Sequence, residues 1–446
     1  MDQALLAKYD QRVPRYTSYP TAPHFGPAVG AADYRRWLKA LDPALPLSLY
    51  VHVPFCDTLC WFCGCHTKIV QRYEPVAAYL QVLRREIALI ADLLGDRRGV
   101  CHVHFGGGSP TILRPDDFTE LFALLRGRFE FTPDADIAVE IDPRGLEDGT
   151  VHAMVAAGVN RASIGVQDLD PGVQCAVNRV QSLALTKRVA DLLRQVGVGS
   201  INVDLMYGLP RQNVAGVLAT VDATVESLAP ERVCLFGYAH VPWMKSHQRM
   251  IDERALPGAE ERFAQAMAVA NRLRDLGYDW IGLDHFARPD DALARAARAG
   301  RLRRNFQGYT TDDAPARLGF GPSAIGALPE GYVQNMVPMH AYRGAVEAGE
   351  PPIARGVALS AGDRLRRAVI ERLMCEQKVD LDDFGPDGAA LAPALAKLTD
   401  MEADGLVRVA GHKIQVTAIG RPFVRTVCAV FDEYLDPGET RHARAV

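Results

Sequence analysis

Tyr50-Val51-His52-Val53-Pro54-Phe55-Cys56-Asp57-Thr58-Leu59-Cys60-Trp61-Phe62-Cys63-Gly64-Cys65 carries four of the chain's nine cysteines, and the other five, Cys101, Cys175, Cys234, Cys375 and Cys428, are widely scattered. A cluster this dense reads as a metal site. Its C-x3-C-x2-C spacing puts three thiolates on one short loop, enough to hold three corners of an iron–sulfur cube and leave the fourth iron open. An open iron can bind a substrate or a cofactor. Structural zinc is the weaker reading, because it usually draws four ligands from two separated cysteine pairs and no second pair follows here. A disulfide framework is weaker still: the chain is long, its cysteine count is odd, and it begins Met-Asp-Gln-Ala-Leu-Leu-Ala-Lys-Tyr with no charged-then-apolar signal segment.

Composition sets the class. At 446 residues and 48% hydrophobic content the chain exceeds one ordinary domain and can bury a large core beside a smaller appended unit. Lys+Arg 50 against Asp+Glu 54 gives a net charge of −4, so no global basic field argues for nucleic acid. No uncharged apolar run approaches the ~18 residues that span a membrane. A soluble, cytoplasmic monomer is expected, in a compartment where thiols stay reduced.

From Leu47 onward short apolar runs alternate with helical periodicity, the mark of repeated βα units and a parallel sheet. The runs are 47–53, 102–105, 136–141, 161–166, 201–206 and 232–238, with a further one at 280–283. Between them Val76, Tyr79, Leu80, Leu83, Ile87, Ile90 and Leu94 recur at helical spacing behind Pro75, and a second helix opens at Pro115-Asp116-Asp117. Six consecutive units make an α/β fold, an incomplete TIM-like (β/α)6 barrel, the natural architecture. In such barrels the C-terminal strand ends converge on one face that carries the chemistry. Those ends hold the cysteine loop, Gly106-Gly107-Gly108-Ser109, Glu140 with Asp142, Gln167, Asp204, and Tyr238-Ala239-His240. Six polar or glycine-rich ends in succession favour a shared site over six merely wet termini.

The flanks differ. Residues 1–45, dense in proline and glycine, read as an irregular N-terminal arm that straps the barrel or lids it. Residues 46–345 form the barrel with its extension. In 360–446, helices at 365–375 and 391–401 precede a hairpin turning at Ala410-Gly411-His412, a small winged-helix-like domain. It lacks a basic stripe and reads as a cover on the barrel's open side.

The cysteine loop with Phe62 before its third ligand, Tyr-Val-His-Val-Pro-Phe-Cys, the added Cys65, Gly106 to Thr111 (Gly-Gly-Gly-Ser-Pro-Thr) and Asn305 to Thr311 (Asn-Phe-Gln-Gly-Tyr-Thr-Thr) resemble the oxygen-independent coproporphyrinogen III oxidases of haem biosynthesis, among the radical S-adenosylmethionine (SAM) enzymes. The resemblance runs from Arg15-Tyr16-Thr17-Ser18-Tyr19-Pro20 nearly to the C-terminus, and its motifs are specific in combination.

That resemblance implies a 4Fe–4S cluster on Cys56, Cys60 and Cys63, with SAM chelating the open iron. Tyr50, Gly107, Glu140 and Ile325 correspond to that SAM; Phe62, Gly108, Ser109, Gln167, Arg179, Asp204 and Ala239 correspond to a second SAM position. It also implies catalytic roles for Tyr50, Cys65 and Glu140. Several have a plainer reading: Phe62 as a core aromatic, the triple glycine as a tight turn, Arg179 and Asp204 as an ion pair between loops. The implied reaction is anaerobic oxidative decarboxylation of two propionates of coproporphyrinogen III to vinyl groups, giving protoporphyrinogen IX, with a flavodoxin- or ferredoxin-like electron donor. A haem chaperone of the same superfamily and a haem-opening radical SAM methyltransferase are the alternatives; Cys65, the arm and Asn305 to Thr311 argue for the oxidase. Arg15, Arg303 and Arg304 are substrate candidates, since guanidinium forks suit propionates. His52 reads as a core or a functional residue, His102 and His104 alternate with Val103 and face either the barrel or the helices, and His240 and His285, at strand ends, are candidate proton relays.

Overall fold

The computed structural model describes residues 3–95 and 99–435; residues 1–2 and 436–446, at the ends of the expected arm and C-terminal domain, and 96–98 lie outside the described residues. Strands β1 (Leu47–Val53), β2 (Val100–Gly107), β3 (Phe131–Ile141), β4 (Arg161–Gln167), β5 (Ser200–Tyr207) and β6 (Arg232–Gly237) pair in chain order, all parallel. The helices Glu74–Leu94, Pro115–Arg128, Asp148–Ala156, Leu183–Gln195, Val214–Leu228 and Ala259–Asp275 return the chain each time. This is the incomplete (β/α)6 barrel.

Period-two alternation explains both faces of the sheet. Leu47, Leu49, Val51 and Val53 share one buried core with Leu83, Ile87 and Phe118 of the helices, whereas Ser48 and Tyr50 between them line the interior. In the same way Val103 and Phe105 face out while His102 and His104 face in, and Val203 and Leu205 face out while Asn202 and Asp204 face in. A barrel whose inner face is polar encloses a chamber.

The sheet runs past its six strands to twelve. Beyond β6 lie β7 (Asp279–Ile281) and β8 (His285–Ala287), both antiparallel to their neighbours. On the other edge β9 (Ala316–Phe320) pairs parallel with β1 and leads into β10 (Ile325–Leu328), β11 (Gly331–Asn335) and β12 (Ile353–Ala358). Hydrophobic patterning gave no sign of β9, because Arg317 and Gly319 interrupt it. Both have tertiary causes: Arg317 lies 3.6 Å from Asp312, and a Cβ on Gly319 would sit 2.8 Å from the Ile325 backbone.

Two expectations are corrected. The arm is not irregular throughout: it contains helices Gln3–Tyr9 and Ala31–Ala40. The second buries Tyr34, Trp37 and Leu38, spaced i, i+3, i+4, and Asp33 accepts the Gly30 N–H at its start (3.1 Å). The segment 391–401 is not one helix: a 3-10 helix, Ala392–Leu398, precedes a short α-helix, Thr399–Ala403. The bonds there run i to i−3: the Leu391 N–H donates to Gly388 O and the Ala394 N–H donates to Leu391 O, both at 2.9 Å, the tighter ladder of a 3-10 turn. The hairpin Val407–Ala410 and Lys413–Val416 forms as expected and gains a third strand, Lys378–Asp380. Leu373, Phe423 and Val424 of this unit share a core with Ile281 and Tyr309 and with Tyr9, Tyr16 and Tyr19 of the arm, so it covers the β7–β8 edge.

Candidate active site

Pro54 ends β1 and turns the chain into the cysteine loop. The loop's base is closed by Lys68 N–H to Pro54 O (2.7 Å) and Val70 N–H to Cys56 O (3.0 Å). Side chains hold four more of its carbonyls: Asn178 donates to Leu59 O (2.8 Å), Gln248 to Phe62 O (3.1 Å), His247 Nε2 to Cys63 O (2.8 Å) and Lys245 to Cys65 O (3.0 Å). The thiols also have donors. Thr67 Oγ1 reaches Cys56 Sγ at 3.2 Å, Arg144 and Arg179 reach Cys60 Sγ at 3.3 and 3.5 Å, and the Cys65 N–H reaches Cys63 Sγ at 3.4 Å. Such donors stabilise thiolate ligands and tune the metal they hold. The three thiols therefore fit a cluster in donor type and in surroundings.

Asp142 holds both guanidinium groups in place, 2.6 Å from Arg144 and 3.1 Å from Arg179. Burial alone would raise its carboxyl; the two arginines outweigh burial and hold it at about 2. Arg179 is buried, and its Nε has no hydrogen-bond partner among the described residues. A buried guanidinium N–H left open beside the thiols fits a further carboxylate-bearing ligand.

Beside the loop the barrel encloses a cavity of about 260 Å³ lined by Tyr50, Cys65, His104, Glu140, Asp204 and His285. Glu140 accepts from His104 Nε2 (2.9 Å) and from the Gly107 N–H (3.2 Å). Burial pushes its pKa up, and these donors outweigh that and leave it below the usual carboxylate range. Burial also holds His52 neutral, its pKa down at about 4. Its Nε2 lies 2.9 Å from His66 O and must carry the proton there, so Nδ1 accepts from the Tyr50 hydroxyl at 3.0 Å. His52 is thus the support of Tyr50.

The glycines have local reasons. A Cβ on Gly106 would stand 2.7 Å from the Glu140 carboxylate, one on Gly107 would stand 2.7 Å from the His52 ring, and one on Gly108 would stand 2.5 Å from Phe55 O. The protein's own packing demands the triplet. Phe62 packs against a small apolar cluster of Val173, Val177, Leu209 and Tyr238, the surroundings of its plainer reading as a core aromatic. Arg179 pairs with Asp142, not with Asp204, which accepts from Ser163 (3.1 Å) and Asn202 (2.8 Å). Gln167 ends β4 at φ 69°, a left-handed conformation that costs a non-glycine residue free energy and marks functional positions. Ile325 touches the chamber wall through Gly319, the register partner of Tyr50.

The other candidates scatter. Ser109 lines a smaller cavity of about 120 Å³ with Cys56, Asp142 and Arg144. Ala239 and His240 line a different cavity of about 400 Å³ beside the helix Ala259–Asp275. The Arg304 side chain, 3% exposed, lies over the Tyr309 ring and donates to Arg15 O; Arg15 in turn donates to Gly237 O at 3.1 Å. Arg303 is exposed, 3.7 Å from Glu371. Sequence reasoning missed Arg144, and with it the loop from Lys245 to Gln248 that braces the cysteines. Arg144 had a readable signal: Asp142-Pro143-Arg144 follows a strand end, where Asp142 caps a turn by accepting the Arg144 N–H.

Comparison with known proteins agrees with this geometry. Residues 50–223 match the radical SAM superfamily model, and residues 359–423 match the HemN C-terminal domain. The oxygen-independent coproporphyrinogen III oxidase of Bradyrhizobium diazoefficiens is 52% identical over 98% of each chain, and that of Salmonella typhimurium is 41% identical over 97% of this chain and 95% of its own. The solved structure of coproporphyrinogen III oxidase (HemN) from Escherichia coli, described as a radical SAM enzyme, superposes with a TM-score of 0.90 at 39% identity, covering 95% of this chain and all of that one. This chain belongs to the oxygen-independent coproporphyrinogen III oxidase family of radical SAM enzymes.

Proposed function

We propose that this chain converts coproporphyrinogen III to protoporphyrinogen IX without oxygen, turning two propionates into vinyl groups. The observation that carries this reading is the set of three donor-braced thiols, Cys56, Cys60 and Cys63, beside a polar chamber walled by Tyr50, Cys65 and Glu140. Cys56, Cys60 and Cys63 would hold the 4Fe–4S cluster. Tyr50, Gly107, Glu140 and Ile325 would surround the SAM on it, while Phe62, Gly108, Ser109, Gln167, Arg179, Asp204 and Ala239 would form a second SAM position. When bound, the cluster and SAM would supply the radical chemistry, hydrogen abstraction at a propionate β-carbon with loss of CO2, the electron released passing to an external one-electron acceptor.

The chain's own residues place and shield. Glu140, ionised at neutral pH, is an acceptor suited to ribose hydroxyls. The Tyr50 hydroxyl stays protonated, because burial and the Glu140 charge push it well above its ordinary range, and His52 fixes its direction. Arg179 offers its open N–H to a ligand carboxylate. A flavodoxin- or ferredoxin-like protein would deliver the electron.

The test is anaerobic. Protein reconstituted with iron and sulfide is given dithionite, SAM and coproporphyrinogen III; 5′-deoxyadenosine, CO2 and protoporphyrinogen should appear together. SAM cleavage without decarboxylation would keep the chemistry and overturn the substrate. Glu140→Gln should raise the KM for SAM by about tenfold or more, the size of a lost charged hydrogen bond, with iron content unchanged. An unaltered KM would remove Glu140 from the SAM site.

A further inference from the structure

We propose that Cys101, His102 and Asp312 form a second metal site, for one divalent cation of the zinc class, at the floor of the chamber. The Cys101 thiol, a His102 ring nitrogen and an Asp312 carboxylate oxygen lie within 4.8 Å of one another. A strand that ran regularly would point Cys101 and His102 to opposite faces. Here Leu47 pairs with Val100 and Ser48 pairs with His102, so Cys101 is an extra residue bulged out of β2. The bulge forfeits a ladder pairing and brings thiol and imidazole to one point.

The third donor is held in place by the protein. The Ser48 hydroxyl (2.6 Å) and the Ala314 N–H (3.1 Å) both donate to Asp312 Oδ1, while Oδ2 has Arg317 at 3.6 Å. Asp136 lies 3.7 Å from His102 Nδ1, beyond hydrogen-bond reach, and adds a further negative charge beside the imidazole. Charge favours a cation. Asp312, Asp313 and Asp134 all act on the Cys101 thiol and, after burial, raise it to about 11. With Asp136 that makes four carboxylates, opposed by Arg161 and Arg317. One sulfur, one imidazole and one carboxylate suit zinc with a fourth position left open.

This site is separate from the cysteine loop and independent of the proposed reaction. Cys101 is the second residue of β2 and Gly107 its last, about 20 Å away at 3.3 Å per residue. A bound ion would tie β2 to the segment that follows Asn305 and Gln307, two residues lining the chamber.

The experiment uses cluster-loaded protein incubated anaerobically with zinc sulfate, freed of excess by gel filtration and analysed for zinc and iron together. One zinc per chain is expected, with a higher Tm than the zinc-free sample. Cys101→Ser and His102→Gln should lose the zinc and the Tm rise and keep their iron. Asp312→Asn, which preserves the acceptor for Ser48 and Ala314, answers the same question should either variant fail to load iron. Absence of bound zinc, zinc retained in these variants, or zinc lost only in Cys56→Ser would overturn the assignment.

Discussion

Cys60→Ser is expected to leave the protein folded, without its iron, and with SAM cleavage at background. Cys60 is the middle of the three proposed ligands and the most buried, and two guanidinium groups point at its sulfur. Serine offers a hard alkoxide in place of a soft thiolate, and two remaining thiols cannot hold a cube. The fold survives because Arg144 and Arg179 keep their shared partner Asp142, and the loop's carbonyls keep Asn178, Gln248, His247 and Lys245. Cys65→Ser provides the contrast. Cys65 lines the chamber and meets Cys63 through its N–H, so its variant should keep full iron and lose turnover. Iron, sulfide, 5′-deoxyadenosine and CO2 measured on both proteins separate ligand from catalytic wall. A Cys60→Ser protein with full iron and turnover would sink the ligand assignment.

What could be read in the sequence was what local chemistry dictates. Cysteine spacing marks the loop, and alternation along β1 to β6 marks the barrel, because both follow from short-range geometry. The edge strands escaped because their cause is distant: Gly319 is needed by the Ile325 backbone, and Arg317 by Asp312. The helix Ala31–Ala40 was obscured by the prolines before it, although Tyr34, Trp37 and Leu38 carry its period. At the site, the sequence named the thiols and left open what directs them. Arg144 and the residues from Lys245 to Gln248 act on the loop from other elements, and pattern along the chain cannot show that. His104 illustrates the limit: its strand position left two faces open, and Glu140 at 2.9 Å decides between them.

The largest stability effect is expected at Glu86, a carboxylate 1% exposed on the helix Glu74–Leu94. It accepts from the Gly321 N–H (2.8 Å), Asn335 Nδ2 (2.6 Å) and the Tyr342 hydroxyl (2.6 Å), and so pins the edge of β9 and β11 to the barrel. Burial raises its pKa to about 7, above the 4.5 of an ordinary glutamate, and the three donors offset only part of that. Below pH 4.5 both folded and unfolded chains carry the proton and the group is at its most stabilising. As pH rises to 7 the unfolded chain ionises first, so about 3 kcal/mol of stability is lost across that window and none beyond it. Glu86→Gln cannot titrate, and the difference between its urea-unfolding profile and the wild type's should show this slope; parallel profiles would refute the buried titration. Glu86→Ala is harsher, leaving three buried donors without an acceptor beside a cavity, at a cost of about 4 kcal/mol or more. The damage should reach the chemistry, because β9 sets Gly319 opposite Tyr50. Loosening that edge moves the chamber wall on which Tyr50 stands, so Glu86→Ala should lose turnover at temperatures where its barrel is still folded.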